Sequence, residues 1–127
     1  MKNKIKVIAI IISMLLISFT AYQSIVVQEK EHFIIGTWVI DGEDTNKYIF
    51  TSNNECKWEF EGSVTDEFNY SIESEFTESG LEIPIVILTN INNPNEIFEY
   101  EIIGLSETNM ILATYKPKIN YTYFIKQ

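Results

Sequence analysis

The sequence predicts an all-β fold, an antiparallel up-and-down barrel of eight strands preceded by an N-terminal signal or anchor helix. Three observations carry that expectation. From Ile34 onward, apolar and polar residues alternate in short runs, the period-two pattern of half-buried strands. Clusters of Asn, Asp, Gly and Ser separate the runs at short, even intervals. No long stretch is left over for a parallel crossover, so each strand returns antiparallel to the one before it.

The first 27 residues stand apart. Lys2, Lys4 and Lys6 occur with no acid, and Val7 to Ala21 is apolar except at Ser13, Ser18 and Thr20. A basic start followed by an apolar core is the layout of a secretory signal. Cleavage after Thr20, with Ser18 behind it, fits better than cleavage after Ala21, where Phe19 occupies a position that wants a small residue. The alternative is an uncleaved anchor, because Ile5 to Val27 is long enough to cross a bilayer of about 30 Å. A lipid anchor would need a cysteine at the end of this segment, and the chain's one cysteine is Cys56. The expected location is therefore outside the cytoplasm: periplasmic, secreted or membrane-anchored. Residues 28–33 read as a charged linker and 34–127 as the barrel domain.

Without residues 1–27, six lysines face eighteen acidic residues, a formal charge of −12, and the chain has no arginine. Such a surface repels phosphate backbones and anionic lipid, which excludes nucleic acid as a partner and leaves membrane contact to the N-terminal segment. About 95 residues suffice for one core and no second domain. A lone cysteine excludes an internal disulfide, so stability rests on apolar packing.

Taken in order, Ile34 to Ile40 is the first strand, with Gly36, Trp38 and Ile40 facing inward and Thr37 and Val39 outward. Asp41 to Asn46 is dense in turn formers and reads as a hairpin loop. Tyr48-Ile49-Phe50 follows, then a turn at Ser52-Asn53-Asn54. Glu55 to Glu61 alternates most cleanly, with Cys56, Trp58 and Phe60 on one face against Lys57, Glu59 and Glu61. After Gly62-Ser63 the pattern resumes, with Phe68, Tyr70 and Ile72 inward. Ser74 to Gly80 is polar and closes in a turn. Leu81 to Ile91 is an apolar run whose branched residues and Pro84 favour a strand over a helix; Pro84 requires an edge, a bulge or the strand's beginning. Asn92-Asn93-Pro94-Asn95 turns into Ile97 to Leu105, where Phe98, Tyr100 and Ile102 oppose Glu99, Glu101 and Ile103. Met110 to Tyr115 and Ile119 to Lys126 complete the set, and no helix is expected after Val27.

This order of pieces resembles the small bacterial lipocalin-like domains over roughly residues 34–127. The resemblance is carried by Gly36-Thr37-Trp38, Tyr48-Ile49-Phe50, Phe68-Asn69-Tyr70-Ser71-Ile72, Tyr100-Glu101-Ile102-Ile103-Gly104-Leu105 and Tyr121-Thr122-Tyr123. It implies a barrel with a ligand cavity. That family commonly sets an arginine on the last strand over the first-strand tryptophan; here Lys126 is the only base in that place.

Residues that could carry chemistry are sparse. Asp41, Glu43, Asp44 and Asn46 crowd one loop, but their spacing is not that of a calcium loop, and they read as a solvated turn. His32 has no second histidine to share a zinc, and Cys56 has no nearby base, so it reads as a small buried residue. Glu59 with Glu61, and Glu99 with Glu101, face solvent and keep the sheet soluble. The expectation is no metal, no cofactor and no enzyme. The informative set is aromatic: Trp38, Tyr48, Phe50, Trp58, Phe60, Phe68, Tyr70, Phe98, Tyr100 and Tyr123 read as inward-facing. They line either an apolar ligand pocket or a filled barrel interior. The function expected is an exported, non-enzymatic lipocalin-like domain binding a small apolar ligand or a protein partner. The alternative is a solid-core β-domain acting as an envelope or secreted interaction module.

Overall fold

A computed structural model describes residues 26–127. The signal or anchor expected at 1–27 lies, but for its last two residues, outside the described residues. Eight antiparallel strands follow one another around a closed barrel: β1 (Gly36–Ile40), β2 (Glu43–Phe50), β3 (Glu55–Phe60), β4 (Ser63–Phe76), β5 (Glu82–Asn90), β6 (Ile97–Leu105), β7 (Asn109–Thr114) and β8 (Asn120–Lys126). The barrel closes through a short seam in which Trp38, Val39 and Ile40 pair with Lys126, Ile125 and Phe124.

Local chemistry sets the turns. Glu61 and Gly62 have φ of 52° and 81°, and Phe60 pairs directly with Ser63. Two successive positive φ values are what a two-residue hairpin needs to match the strands' right-handed twist. The loop expected at Asp41 to Asn46 is shorter than its composition implies. Ile40 pairs with Glu43 and Val39 with Lys47, so the chain turns at Asp41-Gly42 and the excess residues form a bulge within β2. Pro84 pairs with Ser74, but β6 joins β5 only from Ile85, so the missing N–H falls near the strand's beginning.

Alternation places the core. Trp38, Phe50, Cys56, Phe68, Tyr70, Ile72, Val86, Leu88, Ile102, Met110, Leu112 and Phe124 fill the interior. Val39 faces outward in register yet is buried, because Lys47 and Ile125 flank it on the two neighbouring strands.

Two further expectations are corrected. Residues 26–34 form a helix, where a linker was expected at 28–33 and the first strand from Ile34. Val27 and Ile34 lie two helical turns apart and both pack on the core, while Glu29 and His32 face solvent. The charged run Glu29-Lys30-Glu31 hid that two-point stripe. The second correction is on β8. Tyr123 is 54% exposed and Phe124 only 4%, so the tyrosines of this strand point outward. Tyr123 therefore does not line the interior.

Candidate functional site

The two ends of the barrel are built differently. At the end reached by the β2–β3, β4–β5 and β6–β7 turns, the helix lies across the opening. A helix leaves its last carbonyls without partners, and here side chains supply them. Trp38 Nε1 donates to Ile34 O at 2.8 Å, and Lys126 Nζ donates to Phe33 O at 3.4 Å. The ammonium also stands 5.2 Å from the centroid of the Trp38 ring and brings positive charge to the helix C-terminus. Gly36 makes room for it. Its φ is 139°, and an ideal Cβ there would lie 2.5 Å from Lys126 Cε. Trp38 is fully buried, and this end is sealed.

The opposite end holds a cavity of about 280 Å³. It is reached between the β1–β2, β3–β4, β5–β6 and β7–β8 turns. Five of its lining residues are aromatic: Tyr48 from β2, Trp58 from β3, Phe68 from β4, and Phe98 and Tyr100 from β6. Tyr48 stacks on Trp58 (centroids 6.2 Å, planes 12° apart), and Phe98 stacks on Tyr100 (6.5 Å, 22°). Leu88 also lines it, and the Phe68 ring meets Phe98 edge-on at 6.0 Å. Asp66 and Glu96 complete the lining. Trp58 Nε1 donates to Asn46 Oδ1, so the indole is held from the rim. Asn90 Nδ2 donates to Asp66 Oδ1 at 3.4 Å, and Asn90 Oδ1 accepts the Asn92 N–H at 2.9 Å. That chain of bonds fixes the carboxylate to the β5–β6 loop.

Burial shapes the titration of these groups. It pushes the Tyr48 phenol well above its usual value, with Tyr100, Cys56 and Asp66 adding to the effect; it raises Tyr100 too, with Cys56 adding. Both tyrosines are neutral donors at physiological pH. Burial also pushes the Cys56 thiol up to about 12, which makes it a poor nucleophile. Among the described residues, no group of three or more His, Cys, Asp and Glu side chains is placed to hold a metal.

Of the ten aromatics singled out by sequence, five line this cavity: Tyr48, Trp58, Phe68, Phe98 and Tyr100. Phe98 is inward-facing yet 38% exposed, because it stands at the mouth. Trp38 belongs to the sealed end. Phe50 and Tyr70 pack edge-on at 5.1 Å in the solid part of the core, where Tyr70 donates to Thr51 O at 2.8 Å. Phe60 lies beyond the cavity at the end of β3, 41% exposed. Asp66, Leu88 and Glu96 were missed. The two acids were within reach of the alternation, since each precedes an inward aromatic by two residues, Asp66 before Phe68 and Glu96 before Phe98. Leu88 sits in the unpatterned run of β5, where both faces are apolar.

A second, wider groove of about 590 Å³ runs along the outer wall over Ile85, Ile97, Ala113 and Tyr115, edged by Glu75, Glu99 and Glu101. It is more open to solvent than the mouth cavity and lies outside the barrel. No family model, curated protein or solved structure matches the chain.

Proposed function

We propose that this chain is an exported, non-enzymatic lipocalin-like barrel that binds a small apolar ligand in the cavity at its open end, without a cofactor. The observation that carries the reading is the contrast between the ends: one is plugged by helix, indole and lysine, and the other is left hollow and lined with stacked aromatics. At about 280 Å³ the cavity sits at the lower edge of the size range for small-molecule pockets, so a small ligand suits it better than a long lipid. The lipocalin-like part rests on Gly36-Thr37-Trp38 and on Lys126 over the indole, the place that family gives to a basic residue. Export rests on the basic and apolar character of residues 1–27. A titration of intrinsic tryptophan fluorescence with small apolar probes tests the reading. Saturable one-to-one binding that Trp58→Ala abolishes is expected, and no saturable change with any probe would sink it.

A second reading, an interaction module, is favoured by one observation. Tyr121, Tyr123 and Ile125 form an exposed, uncharged stripe along the outside of β8. Ile111 and Ala113 flank it on β7.

A further inference from the structure

Resting on the ligand-binding reading above, we infer that the mouth cavity selects a small organic cation, an ammonium carried on an apolar body. The walls include two stacked aromatic pairs, Tyr48 on Trp58 and Phe98 on Tyr100. An aromatic face is electron-rich and attracts a cation placed over it, most strongly when the site is shielded from water. Two carboxylates, Asp66 and Glu96, share the lining, and among the described residues no lysine does.

Apart from the Tyr48 and Tyr100 phenols, which can donate or accept and so favour neither sign, the donors of the site point to the same sign of charge. The Trp58 N–H is already taken by Asn46, and the Asn90 amide already donates to Asp66. A carboxylate or phosphate entering the cavity would face two acids with only the two neutral phenols to bind it. A neutral apolar molecule would fill the space but bring the acids no countercharge. An ammonium satisfies both: its charge sits between acid and ring, while its body reaches Leu88 and Phe68. The same molecule already contains this interaction at its sealed end, where the chain provides the cation itself by setting Lys126 over Trp38. The excess of acidic residues over the whole chain raises the concentration of cations near the protein.

The test is calorimetric titration of the full chain with three probes of one size: a short alkyltrimethylammonium, its uncharged tert-butyl isostere and the carboxylate of equal chain length. The expected order is cation first, about tenfold tighter than the neutral isostere, with the carboxylate not bound. Asp66→Asn with Glu96→Gln should remove the cation's advantage but keep neutral binding. Glu73→Gln with Glu99→Gln, two exposed acids on the outer wall, should leave that advantage in place. Glycerophosphocholine, which presents the ammonium as a lipid headgroup does, separates a headgroup ligand from a free amine. Neutral or anionic probes binding as tightly as the cation would overturn this inference and leave the apolar pocket standing. If no probe binds at all, the pocket reading fails with it.

Discussion

The chain has two tryptophans, one at each end of the barrel, and their surroundings are nearly opposites. Trp38 is fully buried, its N–H satisfied by a helix carbonyl and its face covered by the chain's own lysine. Trp58 is half-buried, its N–H tied to a rim asparagine and its ring stacked on Tyr48 beside a cavity edged by acids. Trp38 closes a structure, and Trp58 furnishes a surface. The same side chain serves stability where every neighbour comes from within the fold, and on the proposed reading it serves recognition where part of its face is left to solvent.

That contrast is broken most directly by removing each indole. Trp38→Ala should cost about 3–5 kcal/mol, because the void cannot collapse under a helix and a closed sheet. Against a total of about 5–15 kcal/mol for a domain of this size, partial unfolding at 37 °C follows. Trp58→Ala should cost under about 1.5 kcal/mol while abolishing ligand binding. Urea melts of both variants decide: equal costs would mean that the two ends are not distinct in kind. Phe124→Ala and Tyr123→Ala sharpen the same point on one strand. The inward phenylalanine should cost about 3–5 kcal/mol and its outward neighbour about 0.5 kcal/mol or less. The reverse order would restore the face assignment that the sequence suggests.

Much of the fold was legible because its signals are local. Cys56, Trp58 and Phe60 against Lys57 and Glu59 specify a face by themselves, and Asn92-Asn93-Pro94-Asn95 specifies a turn; the turn read at Gly62-Ser63 falls one residue earlier, at Glu61-Gly62. β8 defeats that reasoning. In Tyr121-Thr122-Tyr123-Phe124-Ile125-Lys126 both parities carry apolar residues, so alternation alone selects neither. What decides is a distant constraint: Lys126 must meet Trp38 across the seam, and Phe124 then follows inward. The helix is illegible for a similar reason, since Val27 and Ile34 acquire meaning only once there is an open barrel end to cover. At the candidate site the aromatics were visible and the acids were not. An inward acid breaks the apolar rule by which inward faces are recognised.

Smaller effects probe the sealed end more finely. Gly36→Ala should destabilise by about 1–3 kcal/mol, from a φ that side chains avoid and from the displacement of Lys126. Lys126→Ala should cost about 1 kcal/mol, the ring contact and the helix-end hydrogen bond together. If Gly36 acts through the lysine, the double variant should cost less than the sum of the two. Strict additivity in denaturant melts would assign the whole effect to the backbone.

The smallest effect is invisible at neutral pH, and its sign can be argued from burial alone. Cys56 and Tyr70 are each pushed up to about 12 by burial first of all; for Tyr70, Glu31 and Cys56 add to it, and Tyr48 and Tyr100 are raised as well. In the unfolded chain the thiol releases its proton near its usual 9 and the phenols near 10. The folded barrel thus holds protons that the unfolded chain has already lost. Its contribution from these groups is complete below about pH 9 and erodes as pH climbs toward 12. Urea midpoints should be flat from pH 7 to 8.5 and fall beyond about 9. Growing negative charge acts in the same direction, so the thiol needs its own control. Cys56→Ala, which removes the earliest titrating group, should delay the fall toward pH 10 relative to the parent. A midpoint that rises between pH 9 and 11, or a variant curve with the same onset as the parent, would mean that Cys56 is not shielded by the core between the two tryptophans.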